Sequence, residues 1–301
     1  MLSFHCPNSY ESPQPRRRLV NPRGGLIAIA ACVLILAACS SANLVYNTAP
    51  SLIAGEVDDA FNLNGEQADK LDERLEQFFE WHRREELARY QALLERAASK
   101  ASDGFSAQEF AVLVRDIRGA WERSVDQLID DLGGLGATLS PVQIEHFRWY
   151  YAKTREEYDD YLALDHEERL EYRAERSLER LERWYGGFDR ELEDRILVRL
   201  QALPDTWEPW LKFRTARIEE MLRIFSESTD PDTIKAELRD LMLNHENPIA
   251  RDFEPKRAAY WQAYGEMLEE INGWMTPEQR QKAVDQLQKY ARMVAEIEPR
   301  G

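Results

Sequence analysis

The sequence predicts an all-α protein, an antiparallel bundle of roughly seven to eight helices that includes one long charged helix or helical hairpin. From Leu63 onward, apolar residues recur at three- and four-residue steps, and charged residues fill the positions between them. No stretch alternates polar and apolar residues for long enough to predict a sheet. The breaks between the helical segments are short, and short connections favour antiparallel neighbours.

Eight helices follow from this periodicity, and several of them begin with a recognisable cap. The predicted helices are 66–98, 106–132, 140–164, 166–202, 206–227, 231–244, 253–273 and 276–297. Ser140 and Thr276 each precede a proline and, three residues on, a glutamine, while Ser106 and Asn64 begin weaker versions of this pattern. Such side chains satisfy the N–H groups of a first helical turn. The Leu-Ser/Thr-x-x-Gln pattern is also similar to a motif of periplasmic stress chaperones, but capping chemistry alone produces it.

The predicted helix 166–202 differs from the others because its apolar residues form one narrow stripe. They recur at steps of four and three amid dense Glu and Arg, at Ala174, Leu178, Leu181, Tyr185, Phe188 and Leu192. A narrow stripe buries a single face, as in a helical hairpin or a long exposed arm that binds a partner. Gly186-Gly187 lies off this stripe, and we expect it to bend the helix. An ordinary bundle helix with a solvated face explains the pattern better than a partner-binding arm does.

The N-terminal segment has the organisation of an export signal. Four arginines precede a continuously apolar run, 26–38, which is too short for a spanning helix and fits the core of a signal peptide. This run ends in Leu36-Ala37-Ala38-Cys39, which resembles the lipobox of bacterial lipoproteins. That resemblance implies cleavage after Ala38 and acylation of Cys39 by chains such as palmitate. The alternatives are a plain signal peptide with a chance cysteine and an uncleaved anchor.

This interpretation of the N-terminus divides the chain into three parts. They are a signal peptide (1–38), a lipidated N-terminus and tether (39–62), and a helical domain (63–301). Cys6 and Cys32 fall in the segment that is removed, so we expect no disulfide, and the core alone must stabilise the fold. Ser40 and Ser41 follow the lipobox cysteine without an aspartate. In lipoproteins this implies an outer-membrane protein, here anchored by its lipid and facing the periplasm.

The charge of the chain narrows the classes of partner. Its formal net charge is −16, and residues 1–38 hold four of the 39 basic residues and one of the 55 acidic ones, which leaves −19 for the remainder. A polyanionic surface is repelled by phosphate backbones and by anionic headgroups. We therefore exclude nucleic acid as a partner and expect the membrane link to be the N-terminal lipid.

The predicted helix 66–98 carries the most unusual local feature of the chain. At about 100° per residue, one face collects Leu71, Leu75, Phe78, Phe79, Tyr90 and Leu93. His82 and Glu86 fall in the middle of this face, four residues apart, so their side chains can meet. A buried polar pair must be bonded mutually or to a partner helix. Such a pair fits a pH-sensitive contact, a general acid–base couple or half of a metal site, although a histidine that orders the core is the simpler interpretation.

No other pattern predicts a catalytic or metal site. His146, His166 and His245 stand on separate helices without a metal-binding spacing. The sequence has no nucleophile elbow, no glycine-rich phosphate loop and no EF-hand loop around its acidic doublets, Asp58-Asp59, Asp130-Asp131 and Asp159-Asp160. We therefore predict no catalytic residue, no metal and no cofactor, and we expect that the protein is not an enzyme.

The first part of the mature chain resembles a known family. The residues that carry the resemblance are Cys39, Leu44-Val45-Tyr46-Asn47, Asp58-Asp59, Leu63, Gln67, Trp81-His82-Arg83, Glu86-Leu87 and Tyr90. Over 39–94 their order and spacing resemble a proteobacterial outer-membrane lipoprotein family, catalogued as domain of unknown function 6279. The motif residues are Tyr46, Asn47, Gln67, Trp81, His82 and Arg83. Members are richer in aromatic residues where this chain has Ala49-Pro50-Ser51. The resemblance implies a lipid-anchored helical protein and supplies no established activity.

Three functions of different classes are consistent with these observations. The leading hypothesis is a lipid-anchored, non-enzymatic module that binds a protein partner in the periplasm. A chaperone or stress-adaptor module is the second, because of the capped helix starts. The third is a cell-wall enzyme that uses His82 and Glu86 as its acid–base pair. A structure that places this pair in an open cleft or in a closed core distinguishes the third hypothesis from the others.

Overall fold

The structure is a computed structural model that describes residues 42–297, except for the side chains of residues 42, 154–160 and 162. All regular elements in this part of the chain are helices. They are α1 (Ala42–Phe61), α2 (Gly65–Glu85), α3 (Leu87–Asp103), α4 (Ala107–Gly136), α5 (Pro141–Leu162), α6 (His166–Tyr185), α7 (Arg190–Gln201), α8 (Trp207–Glu227), α9 (Pro231–Leu243), α10 (Pro248–Arg251), α11 (Glu254–Trp274) and α12 (Pro277–Ala295). The predicted all-α class is confirmed.

The predicted count of seven to eight helices is wrong. Residues 42–297 form eleven helices of twelve residues or more, together with the single turn α10. Two of the predicted helices are each divided into two. The first divides at Glu86, between α2 and α3. The second ends at Gly186, whose φ of 87° is accessible to glycine, and Asp189 caps the helix that follows.

Helix α1 lies within the segment 39–62, for which the sequence predicts a lipidated N-terminus and tether. Its buried residues include Tyr46, Ala49, Ala60 and Phe61. Together with the half-buried Ile53 and Val57, they recur at the three- and four-residue steps of a helix, but Pro50 inside the segment indicates a helix breaker. Packing against α2 and α5 stabilises this helix in spite of its proline.

The predicted capping boxes are confirmed at the starts of α2, α4, α5 and α12. Asn64, Ser106 and Thr276 each accept a hydrogen bond from the backbone N–H three residues on, and the side chain there bonds back to the cap. Ser140 and Gln143 exchange the same two bonds, at 3.3 and 3.0 Å. These four starts fix where the long helices begin.

Four apolar clusters form the interior of the described part of the chain, and the smallest joins Ala98 and Ala101 of α3 to Val284 of α12. The first joins the end of α1 with α4, α5, α8 and α9, and the second joins α1 with α2, the start of α3 and the end of α12. In the third, α6, α7 and α11 pack together, and the stripe predicted from 166–202 lies in this cluster. Because α6 and α7 fold back on each other, the predicted long charged element is a helical hairpin.

Two glycines let α4 approach its neighbours closely. A Cβ at Gly136 would lie 2.5 Å from the Phe225 ring, and one at Gly133 would lie 2.8 Å from the Pro231 carbonyl oxygen. At Gly134, by contrast, a Cβ would meet nothing within 4 Å. Contact between α4 and the start of α9 therefore depends on a missing side chain at Gly133.

We expect Gly133→Ala to lower the free energy of unfolding by about 1–3 kcal/mol, because the Pro231 backbone cannot move aside without displacing α9. Gly134→Ala is the matched control, and there the free energy should stay unchanged or rise by up to about 1 kcal/mol through helix propensity. Urea unfolding of the two variants measures both effects. Equal stability of the two variants would contradict the close contact.

Candidate functional site

A cavity of about 2460 Å³ lies among the helices and is partly open to solvent. Its walls come from α1, α2, α3, α4, α5 and α8, with smaller contributions from α6, α9 and α12. Apolar side chains dominate the lining, among them Leu71, Leu75, Phe78, Leu93, Leu128, Phe147, Ile218, Met221, Met293 and Val294. Ordinary ligand pockets measure about 300–1,000 Å³. The cavity is therefore large enough for an extended apolar chain.

Four ion pairs join α4 to α2 and α3 beside this cavity, and we call them the ion-pair ladder. In antiparallel order they are Lys100–Glu109 (3.0 Å), Arg96–Asp116 (3.0 Å), Glu86–Arg123 (2.7 Å) and Arg74–Asp131 (3.4 Å). Three of them are partly exposed, and exposed pairs contribute little each. Glu86, with no exposed surface, is the exception.

Glu86 lies at the junction of α2 and α3, with its carboxylate directed towards α4. Arg123 donates from Nε to Oε1 and from Nη2 to Oε2, both at 2.7 Å, and Arg89 lies 3.8 Å away. Burial by itself raises the pKa of Glu86, but the hydrogen bonds and charge of Arg123, helped by Arg89, outweigh it and lower that pKa. Glu86 is therefore a buried, ionised acceptor in a bidentate pair.

His82 lies one turn before Glu86 and is 5% exposed. Its Nδ1 lies 2.9 Å from the hydroxyl of Tyr46 on α1, and its Nε2 lies 3.2 Å from the hydroxyl of Tyr90 on α3. Both ring nitrogens thus have a phenol partner. Burial lowers the pKa of His82 to about 4, with Glu86 opposing and Arg83 adding to the shift. The ring is neutral at pH 7.

The two residues that the sequence predicts as a pair are thus bonded to other helices and not to each other. His82 connects α1, α2 and α3, and Glu86 connects the α2–α3 junction to α4. General acid–base catalysis needs a group that faces a substrate proton. Since the ring nitrogens and the carboxylate oxygens already have partners, the geometry favours an ordering role for both residues over an acid–base role.

The other motif residues gather around the same junction. Arg83 donates to the Asn47 side chain at 2.7 Å, and its guanidinium lies 5.0 Å from the centre of the Tyr46 ring. Trp81, half-buried, contacts the rings of Phe78 and His82. These contacts bring the Tyr-Asn pair of α1 onto the Trp-His-Arg run of α2.

Gln67 lies apart from this junction, at the start of α2. Its side chain bonds to Gln143, with Gln143 Nε2 donating to Gln67 Oε1 at 2.6 Å, and it also donates to the Thr138 carbonyl at 2.9 Å. Since Gln67 and Gln143 each complete a capping box, the starts of α2 and α5 are locked together. This contact therefore stabilises the packing of α2 against α5.

Cys39 and Ala38 lie outside the described residues, so the lipidation and cleavage sites stay predictions. Over residues 42–297, no helix combines the length and the hydrophobicity needed to cross a bilayer. His, Cys, Asp and Glu side chains in that range form no group of three or more that is positioned to hold a metal ion.

Sequence reasoning missed Arg123 and two basic residues of the cavity lining, Arg214 and Arg217. Arg214 and Arg217 lie one turn apart on α8. The Arg214 guanidinium is 5.7 and 5.5 Å from the Tyr151 and Trp210 rings, and that of Arg217 is 5.3 Å from the Phe213 ring. A buried acid on an apolar face implies a basic partner, which is a signal for an arginine such as Arg123. Nothing comparable points to Arg217.

The sequence profile of a family described as "Family of unknown function (DUF6279)" matches residues 59–254. No curated protein and no solved structure matches the chain. The matched range contains the ion-pair ladder and His82 but begins after Cys39, Tyr46 and Asn47. The family resemblance is thereby confirmed, whereas the proteobacterial origin and the lipid anchor stay predictions.

Removal of the Arg123 guanidinium should destabilise the fold strongly. We expect Arg123→Ala to lower the free energy of unfolding by about 3–5 kcal/mol, because it leaves the Glu86 carboxylate buried without its two hydrogen bonds. Arg89→Ala, the control, should cost less than about 1 kcal/mol because Arg89 is exposed. The double variant Glu86→Leu, Arg123→Leu should regain most of the loss. Chemical denaturation measures all three, and an Arg123→Ala loss no larger than that of Arg89→Ala would contradict the buried pair.

Stability should fall as the pH is lowered from 6.5 to 4. His82 takes up a proton near pH 6.5 in the unfolded chain but only near pH 4 in the fold, so acid favours unfolding over this interval, by about 3 kcal/mol in total. His82→Gln should remove most of that slope, whereas His166→Gln, at an exposed histidine, should retain it. Denaturation midpoints measured across the interval test this. The same slope in the wild type and in His82→Gln would show that His82 titrates normally.

Proposed function

Since this chain belongs to the family of unknown function DUF6279, which specifies no activity, we propose from the geometry that it is a non-enzymatic binding module of the cell envelope. The observation that carries the proposal is the apolar cavity of about 2460 Å³ beside the ion-pair ladder. In this proposal the cavity is the binding site, and the polar junction at His82 and Glu86 holds its walls in place.

The chemistry of the lining supports binding of an apolar chain. Most of its polar side chains already form hydrogen bonds within the protein. Gln67 bonds to Gln143 and Thr138, and Ser124 donates to the Ala120 carbonyl at 2.9 Å. A small polar substrate would find few groups to fix its orientation. An acyl chain, or an apolar polypeptide segment, needs contact area more than it needs hydrogen bonds.

We further propose that the module is a lipoprotein, anchored at Cys39 to the outer membrane and facing the periplasm. The predicted export signal and the resemblance to a lipobox support this localisation. Because α1 begins at Ala42, the acylated residue would lie within about 10 Å of the bundle, three extended residues at most. Leu44 and Leu52, each 58% exposed on α1, suit a position close to a bilayer.

A protein segment in the cavity is the second candidate function. It corresponds to the periplasmic protein partner and to the chaperone or stress adaptor that the sequence suggests. The length of α4, 30 residues, favours it, because a wall about 45 Å long accommodates several turns of a bound helix. A cell-wall enzyme has less support, because His82 and Glu86 already have hydrogen-bond partners.

Photo-crosslinking tests whether the cavity binds anything in the cell. A photoreactive amino acid in place of Leu93, in the cavity lining, should give an adduct with a cellular lipid or protein. The same amino acid in place of Val142, 75% exposed and outside the lining, should give none. Mass spectrometry of the purified protein identifies the adduct. Equal labelling at the two positions, or none at Leu93, would overturn the binding module.

The proposed lipid anchor can be tested separately from the cavity. Intact-mass analysis of the protein from its native membrane should show a chain that begins at Cys39 and carries acyl mass. Cys39→Ser should abolish that mass and release the protein from the membrane, because two or more acyl chains are what make such anchoring stable. A product with an unprocessed start, or without acyl mass, would remove the basis for the envelope assignment.

A further inference from the structure

We propose that the occupant of the cavity is an anionic phospholipid, with its acyl chains along the apolar walls and its phosphate at Arg214 and Arg217. This inference rests on the proposed function, because it names the ligand class of the same cavity. Four observations support it: the sign of the charge in the lining, an unpaired arginine, the aromatic walls beside it, and the size of the space.

The charge of the cavity lining is opposite to that of the chain. The lining contains the basic residues Lys70, Arg74, Arg89, Arg96, Arg115, Arg123, Arg214 and Arg217, and the acidic residues Glu56, Glu66, Asp116, Asp130 and Asp131. Arg74, Arg96 and Arg123 pair with acids in the ion-pair ladder. Of the other charged residues in the described part of the lining, five are basic and three are acidic, whereas the chain as a whole has a net charge of −16. An acidic protein that concentrates positive charge in one cavity favours an anionic ligand there.

Arg217 is the basic residue of the lining that most needs a partner. It is half-buried and forms neither an ion pair nor a hydrogen bond with any residue in the described part of the chain. Burial lowers the pKa of Arg217, and the nearby charge of Arg257 adds to this effect while Glu254 opposes it. A cation in such surroundings gains stability from an added anion.

Aromatic rings hold the two arginines in position. Phe213 lies beside the Arg217 guanidinium, and Trp210 and Tyr151 lie beside that of Arg214. Arginine that is ordered against aromatic faces loses less side-chain entropy when it binds a phosphate, and its planar fork suits two phosphate oxygens. Arg214 and Arg217 are three residues apart on one helix, so a single headgroup can reach both.

The distribution of polar groups favours a lipid over a polypeptide. An extended peptide brings an N–H and a C=O group with each residue, and these groups need partners that the mostly apolar lining does not supply. A phospholipid concentrates its polar groups at one end, where Arg214 and Arg217 can bind the phosphate, and its acyl chains need only the apolar lining. The volume of about 2460 Å³ exceeds what a single small ligand fills and suits two acyl chains. A helix satisfies its own backbone groups, so an acidic helical segment is the competing occupant.

The test uses the mature, acylated protein purified from its membrane in mild detergent. Native mass spectrometry should detect a bound phospholipid of the anionic class in addition to the covalent acyl chains. In titrations, phosphatidylglycerol should bind more tightly than diacylglycerol with the same chains, which lacks the phosphate. Arg217→Gln should weaken phosphatidylglycerol binding by about tenfold or more and leave diacylglycerol binding unchanged, since only the phosphate contact is lost.

Lys212→Gln is the matched control, because it removes one positive charge from the exposed face of the same helix. Equal weakening by Arg217→Gln and Lys212→Gln would overturn the phosphate site, as would equal binding of phosphatidylglycerol and diacylglycerol by the wild type. The lipid comparison on the wild type does not depend on how any variant folds. If a polypeptide co-purifies with the protein and crosslinks at position 93, the phospholipid proposal is wrong, but the proposal of a binding module is supported. If nothing crosslinks at position 93, both proposals are wrong.

Discussion

The pair between Glu86 and Arg123 is the interaction on which the rest of the structure depends. Leu128 of α4 packs against the second apolar cluster, which contains residues of α2 and α3, and beyond this contact the cavity leaves a gap between α4 and those two helices. The ion-pair ladder spans the gap, and within it only Glu86 is fully buried. The exposed ion pairs of the ladder can break and reform at little cost in free energy. Breaking the bidentate contact of Glu86 costs much more, because it leaves a carboxylate in the core without its hydrogen bonds.

This polar joint explains why a helical bundle keeps so large an open space. In most bundles apolar residues from facing helices interdigitate until no void remains. Here the close contacts lie elsewhere: α4 packs tightly on α9 at Gly133, and α3 packs on α12 at its alanines. Between these two packed pairs, the charged side chains of the ion-pair ladder join α4 to α2 and α3 across the gap. The cavity is therefore a built feature of the fold.

The sequence predicts those parts of the structure that local chemistry decides. The all-α class, the four capping boxes and the stripe from Ala174 to Leu192 follow from spacing within a single segment, and so does the burial of His82 and Glu86. Sequence alone does not predict their partners, because pairing Glu86 with Arg123 requires the register of two antiparallel helices 37 residues apart. Helix α1 was missed because tertiary packing overrides the local effect of Pro50. The cavity depends on how all these helices are arranged, which no single segment encodes.

The same junction connects the beginning of the described chain to the cavity wall. Tyr46 on α1, His82 on α2 and Tyr90 on α3 form one run of hydrogen bonds, and His82 and Tyr90 also line the cavity. Because His82 is neutral at pH 7, one of its ring nitrogens accepts while the other donates, so each tyrosine hydroxyl has a defined partner. A protonated ring would donate from both nitrogens and would place a positive charge beside Arg83. Neutrality of His82 thus avoids a second positive charge beside Arg83 where α1 packs on the cavity wall, and the hydrogen bonds of His82 link the position of α1 to that wall.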